Sequence, residues 1–301
     1  MNRLATRLGK LHLLNPVTVA SGTFGTEYAD IFDLNRLGAY VTKSITLHQK
    51  IGNPPPRLYE TEAGLLNSIG LQNPGVVNFI NIDLPELREQ LTIPIIVSFS
   101  GATVEEFSTV LERLEKQDGI AGYEVNISCP NVEKEGIAFG VDPLVVYELM
   151  RRLRPLTEKE LIVKLTPNVT DIAAIAIAAE EGGADSLALI NTVHGMAIDP
   201  HTGKSRVKAG ICGYSGPGIK PIALANVYKV SQATRLPLIG MGGICSWEDA
   251  MEFFYAGASA VAIGTGNFIN PQTCLEIITA LEKYFAEKEM TLQSIIGTVQ
   301  I

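Results

Sequence analysis

The chain has 301 residues, 46% hydrophobic and 19% charged, a globular composition that excludes disordered and fibrous classes. Its 24 basic and 32 acidic residues leave a net charge of −8, which argues against nucleic-acid binding but leaves room for a local basic pocket. No apolar run reaches the length of about 18 residues that a membrane span needs, and residues 1–15, with Arg3, Arg7 and Lys10, lack the apolar core of a signal peptide.

In chain order, eight short apolar runs read as buried parallel strands. They are Val17–Ala20, Tyr40–Lys43, Ile95–Phe99, Tyr123–Ile127, Leu161–Leu165, Ser186–Ile190, Leu238–Gly240 and Ala260–Ile263. Between the second and third lies 53–78, with three prolines at 54–56 and no helical periodicity, which reads as an insertion. Helical patterns follow the later runs. Thr103–Lys116 opens on a possible capping box, Thr103 with Glu106. Pro143–Leu153 begins with proline behind Asp142 as cap, and Thr170–Glu181 is alanine-rich and ends at Gly182–Gly183. A second insertion, 194–215, separates the sixth strand from Gly218–Gln232. Ser246–Tyr255, capped by Ser246 with Asp249, and Pro271–Glu287 complete the set, and 292–301 either packs under the fold or frames a partner surface.

Strands alternating with helices predict an α/β fold, a (β/α)8 TIM barrel with extended βα loops over its C-terminal face. The competing arrangement is an open doubly wound sheet. No linker or internal repeat is visible, so one domain over 1–301 is expected. Insertions this long without regular structure are usually functional or mobile.

A barrel carries its chemistry at the C-terminal ends of its strands. Here those ends read Ala20–Ser21–Gly22, Lys43–Ser44, Asn126–Ile127–Ser128–Cys129, Asn191–Thr192, Gly240–Met241–Gly242–Gly243 and Gly264–Thr265–Gly266. The last two, after strands seven and eight, stand where many barrels bind phosphate through backbone amides, although glycines there can equally serve only tight turns. Lys43 and Lys164 fall in or at the end of otherwise apolar strands. A buried lysine is costly unless paired, so each reads either as a rim residue or as a cation facing an electron-rich or anionic ligand. Cys129, in Ser128–Cys129–Pro130–Asn131, is either a small buried hydrophobe or a base beside a cation. Cys245 and Cys274 look structural, and Cys212, in the second insertion, could be exposed. With no CxxC and no paired spacing among His12, His48, His194 and His201, neither a metal nor a disulfide is expected, which fits a reducing, cytoplasmic setting. His194 is read as a hydrogen-bonding loop residue more than a substrate contact.

Together these motifs resemble class 1 dihydroorotate dehydrogenases over essentially the whole chain. The resemblance rests on Ala-Ser-Gly-Thr-Phe-Gly at 20–25, Thr-Lys-Ser at 42–44, Asn-Ser-Ile-Gly-Leu-Gln-Asn at 67–73, Asn-Ile-Ser-Cys-Pro-Asn at 126–131 and Lys-Leu-Thr-Pro-Asn at 164–168. Asn-Thr at 191–192, Ser-Gly-Pro at 215–217, Gly-Gly-Ile at 242–244 and Gly-Thr-Gly at 264–266 complete it. It implies a barrel that binds FMN and oxidises dihydroorotate to orotate. Cys129 would take the C5 proton as a hydride leaves C6 for N5 of the flavin. The resemblance places Lys43, Asn67, Ser68, Ile69, Gly70, Leu71, Asn126, Asn191 and Thr192 around the substrate. It places Ser21, Lys43, Ser44, Ser98, Asn126, Lys164, Ile190, Gly216, Gly242, Gly243, Gly264 and Thr265 around FMN. Ser98 departs from the asparagine often found in related sequences.

The N-terminal Leu-Asn-Pro-Val-Thr-Val-Ala-Ser-Gly-Thr-Phe-Gly and Gln72 in the substrate loop resemble class 1B. That class passes electrons to a partner subunit holding FAD and a [2Fe-2S] cluster, and on to NAD, from a homodimer core within an α2β2 heterotetramer. The chain has neither a GxGxxG dinucleotide motif nor a cysteine cluster, so both would belong to the partner. The alternatives are a class 1A homodimer that reduces fumarate, a flavoenzyme that reduces uracil or thymine, and a non-catalytic barrel serving as scaffold or sensor.

Overall fold

The computed structural model describes residues 2–128 and 139–301. The strands are β1 Thr6–Leu8, β2 Leu11–Leu13, β3 Val17–Val19, β4 Tyr40–Val41, β5 Leu58–Thr61, β6 Gly64–Asn67 and β7 Ile95–Phe99, then β8 Gly122–Asn126, β9 Glu160–Lys164, β10 Ser186–Leu189, β11 Val193–Gly195, β12 Cys212–Ser215, β13 Leu238–Met241 and β14 Ala260–Ile263. The helices are α1 Val76–Asn78, α2 Leu84–Gln90, α3 Val104–Glu115, α4 Pro143–Leu153, α5 Ile172–Glu181, α6 Lys220–Ser231, α7 Trp247–Ala256, α8 Gly266–Ile269 and α9 Thr273–Glu287.

Eight parallel strands lie in the order β3-β14-β13-β10-β9-β8-β7-β4. A parallel bridge from Thr18 to Ala39 brings the two ends of that sheet together. The result is the expected barrel rather than an open sheet. All eight expected strands are present, two with the expected bounds and the others with ends displaced by one or two residues. Helices surround them, and an apolar core from Leu4 to Ile295 fills the space between helices and strands. The hairpin β1–β2 lies at the N-terminal end, where the Lys10 amide donates to the Glu160 carboxylate at 2.7 Å.

Capping sets several helix starts. Asp142 accepts from the Leu144 amide at 2.9 Å, and Asp171 accepts from the Ala173 amide at 3.1 Å. At α7, Ser246 and Asp249 form the full reciprocal box. The box expected at α3 is incomplete. Thr103 accepts from the Glu106 amide at 3.2 Å, but the Glu106 carboxylate reaches Ala102, one residue too early.

The two insertions differ from expectation. Segment 53–78 holds the hairpin β5–β6, and 194–215 begins and ends near β11 and β12. These strands join in one antiparallel sheet, β11-β12-β6-β5. Neither stretch is therefore free of regular structure. Their strands are short and partly exposed, and pairing between distant segments leaves no local periodicity to read. Helix α2 also escapes the sequence pattern. A π turn over Phe79–Asp83 adds a residue ahead of it, so the buried positions Val76, Phe79, Leu84 and Leu87 step by three, five and three. Residues 292–301 bind back onto the fold: the Leu292 amide donates to Arg3 and the Gly297 amide to Phe254, both at 2.9 Å. Among the described residues no helix is long and apolar enough to cross a membrane.

Candidate active site

A cavity of about 900 Å³ opens at the C-terminal ends of the barrel strands, at the large end of small-molecule sites. The small antiparallel sheet stands over one side of it through Leu58, Leu65, Asn67, Gly213 and Ser215. Three lysines line it, Lys43, Lys50 and Lys164, and no carboxylate does among the described residues. In a chain of net charge −8, that is a local excess of positive charge in a concave site, which favours an anionic ligand.

The two lysines singled out from the sequence differ in their surroundings. Lys164 ends β9. Its ammonium lies 3.6 Å from the Glu124 carboxylate and donates to Ser21 Oγ at 3.0 Å. Lys43 lies two residues past β4 and is half-buried. No carboxylate among the described residues pairs with it. Burial, then the positive charges of Lys164 and Arg57, hold its ammonium below the usual lysine range. A cation in that position is stabilised by an incoming anion.

The loop 67–71 follows β6 and is tied down from behind. Asn53 donates from its backbone to Ile69 at 2.9 Å and from its side chain to Ser68 at 2.7 Å. Asn73, almost fully buried, accepts from the Thr46 and Gly75 amides and donates to the Leu71 carbonyl at 2.7 Å. Asn67, Ser68, Ile69, Gly70 and Leu71 all reach the cavity wall. So do Asn126, Asn191 and Thr192. Asn191 donates to Ser128 Oγ at 2.7 Å and Asn126 to Ser44 Oγ at 3.0 Å, which fixes both amides. Such amides offer donor and acceptor edges together.

Of the residues assigned to a flavin by resemblance, Ser21, Lys43, Ser44, Asn126, Lys164, Ile190, Gly216, Gly242, Gly243, Gly264 and Thr265 line the same cavity. Ser98 does not. It is fully buried under the floor, bonded to Ser44 and to Glu124 at 2.8 Å each. The two glycine clusters also divide. At Gly243, φ is +76° and a Cβ would press on Lys220, so the turn itself requires glycine. At Gly264 a Cβ would meet only ordinary contacts, at 3.5 Å from Ala20. The chain alone does not require glycine there, and the room left belongs to the cavity. The amides of Gly243, Ile244, Gly264 and Thr265 find no acceptor among the described residues. Free amides, a cation and apolar walls from Ile190, Ile219 and Met241 suit a flat cofactor with a phosphate, with space left for a small anion.

Cys129 lies outside the described residues. Cys212, expected as a possible surface thiol, is instead buried in β12, and burial pushes its pKa up. Cys274 is buried in α9, its thiol pushed up to about 12. His194 is exposed on β11 and does not line the cavity; its backbone amide donates to Asn168 at 2.9 Å. Sequence reasoning missed Lys50 and Glu124. Glu124 was legible as a carboxylate two residues before Asn126, and a strand's period of two sends both to the same, inward face.

The sequence matches the dihydroorotate dehydrogenase family over residues 3–285. It is 50% identical over 301 residues, 99% of each chain, to the protein of Thermoanaerobacter pseudethanolicus named dihydroorotate dehydrogenase B (NAD(+)), catalytic subunit. Proteins of the same name from Anoxybacillus flavithermus and Malacoplasma penetrans are 54% and 48% identical. These matches cover 93% and 95% of this chain, and 90% and 94% of theirs.

Proposed function

The chain belongs to the dihydroorotate dehydrogenase family, and we propose that it is the FMN-dependent catalytic subunit of a two-subunit, NAD-linked enzyme that oxidises (S)-dihydroorotate to orotate in pyrimidine biosynthesis. The observation that carries this reading is a cavity lined by three lysines and no carboxylate among the described residues, with unengaged amides beside it.

The residues would divide the site between two ligands. Lys43, with no carboxylate partner among the described residues, holds the substrate carboxylate. Asn67, Asn126, Asn191 and Thr192 pair with the polar edges of the pyrimidine ring, while Ser68, Ile69, Gly70 and Leu71 close over it. Ser21, Ser44, Lys164 and Ile190 face the flavin ring. Gly216, Gly242, Gly243, Gly264 and Thr265 hold its ribityl and phosphate part through backbone amides. Ser98 acts from below, through Ser44. When bound, FMN supplies the acceptor for the hydride from C6. Cys129, as thiolate, removes the C5 proton and holds it at Sγ. A pocket built to pair the carboxylate and imide rejects an analogue that leaves those groups unpaired.

A partner subunit bearing FAD and a [2Fe-2S] cluster would carry the electrons on to NAD+. The NAD(+) in the names of the relatives favours this over a fumarate-reducing class 1A homodimer. A homodimer core within an α2β2 heterotetramer in the cytoplasm completes the reading.

The test is an anaerobic absorbance spectrum of the purified chain before and after dihydroorotate. Flavin bands near 450 nm that bleach on addition support the assignment. Bands that bleach only with a dihydrouracil-type donor or another reductant move the chain to a different chemistry. A folded protein that stays colourless when FMN is supplied overturns the reading.

A further inference from the structure

A chain of polar side chains runs from the cavity wall to beneath its floor, and it includes one residue, Glu124, to which the proposed function gives no role. Asn126 donates to Ser44, Ser44 bonds Ser98, and Ser98 donates to Glu124. Glu124 pairs with Lys164, which donates to Ser21. Glu124 is 2% exposed and is not part of the cavity wall. A buried carboxylate costs several kcal/mol unless paired and hydrogen-bonded, and an apolar strand in a barrel has no structural need for one. Among the described residues the Glu124 carboxylate meets one hydroxyl and one ammonium, the latter facing the cavity.

We propose that Glu124 is a positioning residue that pins the Lys164 ammonium at the cavity floor and offsets its charge, thereby setting how strongly the chain favours reduced over oxidised FMN. The inference rests on the FMN reading above. The cavity then has two cations of different character. Lys43 has no carboxylate partner among the described residues and suits an anionic substrate. Lys164 is compensated by a fixed carboxylate, so its field at the cofactor is moderated. Two negative charges cannot both be matched by one lysine, and reduction of a flavin to its anion places a second one near Lys164. The pair therefore limits the stabilisation that the reduced anion receives. Ser98 tunes the carboxylate in turn, because its hydroxyl takes up part of the negative charge.

The experiment is the midpoint potential of FMN bound to the whole chain, measured by dye-coupled reduction in the wild type, Glu124→Gln and Ser98→Ala. Glutamine keeps the volume and removes the charge. We expect its potential to rise by about 30 mV or more, a tenfold change in the two-electron equilibrium. Ser98→Ala leaves the carboxylate with one donor fewer and shifts the potential in the opposite direction. An unchanged potential in Glu124→Gln, or shifts of the same sign in both variants, overturns the proposal, since simple loosening of the site moves both alike. If Glu124→Gln does not hold FMN, Ser98→Ala decides alone: a fall supports the proposal, and no change or a rise overturns it. Failure of the wild type to bind FMN sinks the underlying reading instead and is recognised before any variant is compared.

Discussion

The Lys220 ammonium donates to the Asp249 carboxylate at 2.7 Å, joining the start of α6 to the start of α7 behind the Gly242–Gly243 turn. The same carboxylate accepts from the Cys245 and Ser246 amides at 2.8 and 3.0 Å. Burial pushes Asp249 up, but the Lys220 bond and these amides outweigh it and hold the carboxyl below its usual range. Lys220 is raised, chiefly by its bond to Asp249.

Asp249→Asn is therefore expected to destabilise the chain by roughly 1–3 kcal/mol, the range for losing a charged hydrogen bond together with a cap. Because the folded carboxyl is depressed, its contribution is complete above the unfolded value of about 3.9 and is lost as the pH falls through the folded one. Thermal melts of both proteins at pH 7 and near pH 3 check this. The gap between them closes in acid.

Cys129→Ser is expected to slow reduction of bound flavin by dihydroorotate by about 10²–10⁴-fold at neutral pH, the span of a general base, with FMN retained. Stopped-flow traces at 450 nm measure it, and a mutant as fast as wild type removes Cys129 from the reaction.

Lys43→Ala is expected to weaken orotate roughly 10- to 100-fold, the loss of one charge-assisted bond. Lys43 is held below the usual lysine range, so its charge disappears at a lower pH than that of a surface lysine. Orotate affinity in the wild type should fall as the pH rises through that lowered value, and in Lys43→Ala this limb should be absent. Spectral titrations between pH 7 and 10 give both curves.

Iodoacetamide at pH 8 is expected to leave Cys274 and Cys212 untouched in the folded chain. Both thiols are buried, and Cys274 is pushed up to about 12. Peptide mapping before and after unfolding in guanidinium distinguishes them. Rapid native labelling of Cys274 contradicts the packing around α9.

The amino-acid sequence by itself determined the barrel and most of the cavity wall. Eight apolar runs are buried on both faces, so their hydrophobicity is continuous and legible without knowledge of neighbours. Strand ends carrying Ser21, Lys43, Asn126, Lys164 and Asn191 then fall on one face of a barrel by topology alone. Only the tertiary structure decided the rest. The sheet β11-β12-β6-β5 unites segments about 150 residues apart, as in the bond from Ser215 to Leu65, and no local pattern announces that pairing. Lys43 and Lys164 look alike in sequence, yet one has a carboxylate 3.6 Å away and the other has none among the described residues. Ser98 reads as a wall residue but turns to Glu124 beneath the floor. Burial and charge pairing depend on what the other strands bring to the same point in space, and that is a property of the folded barrel, not of any one segment.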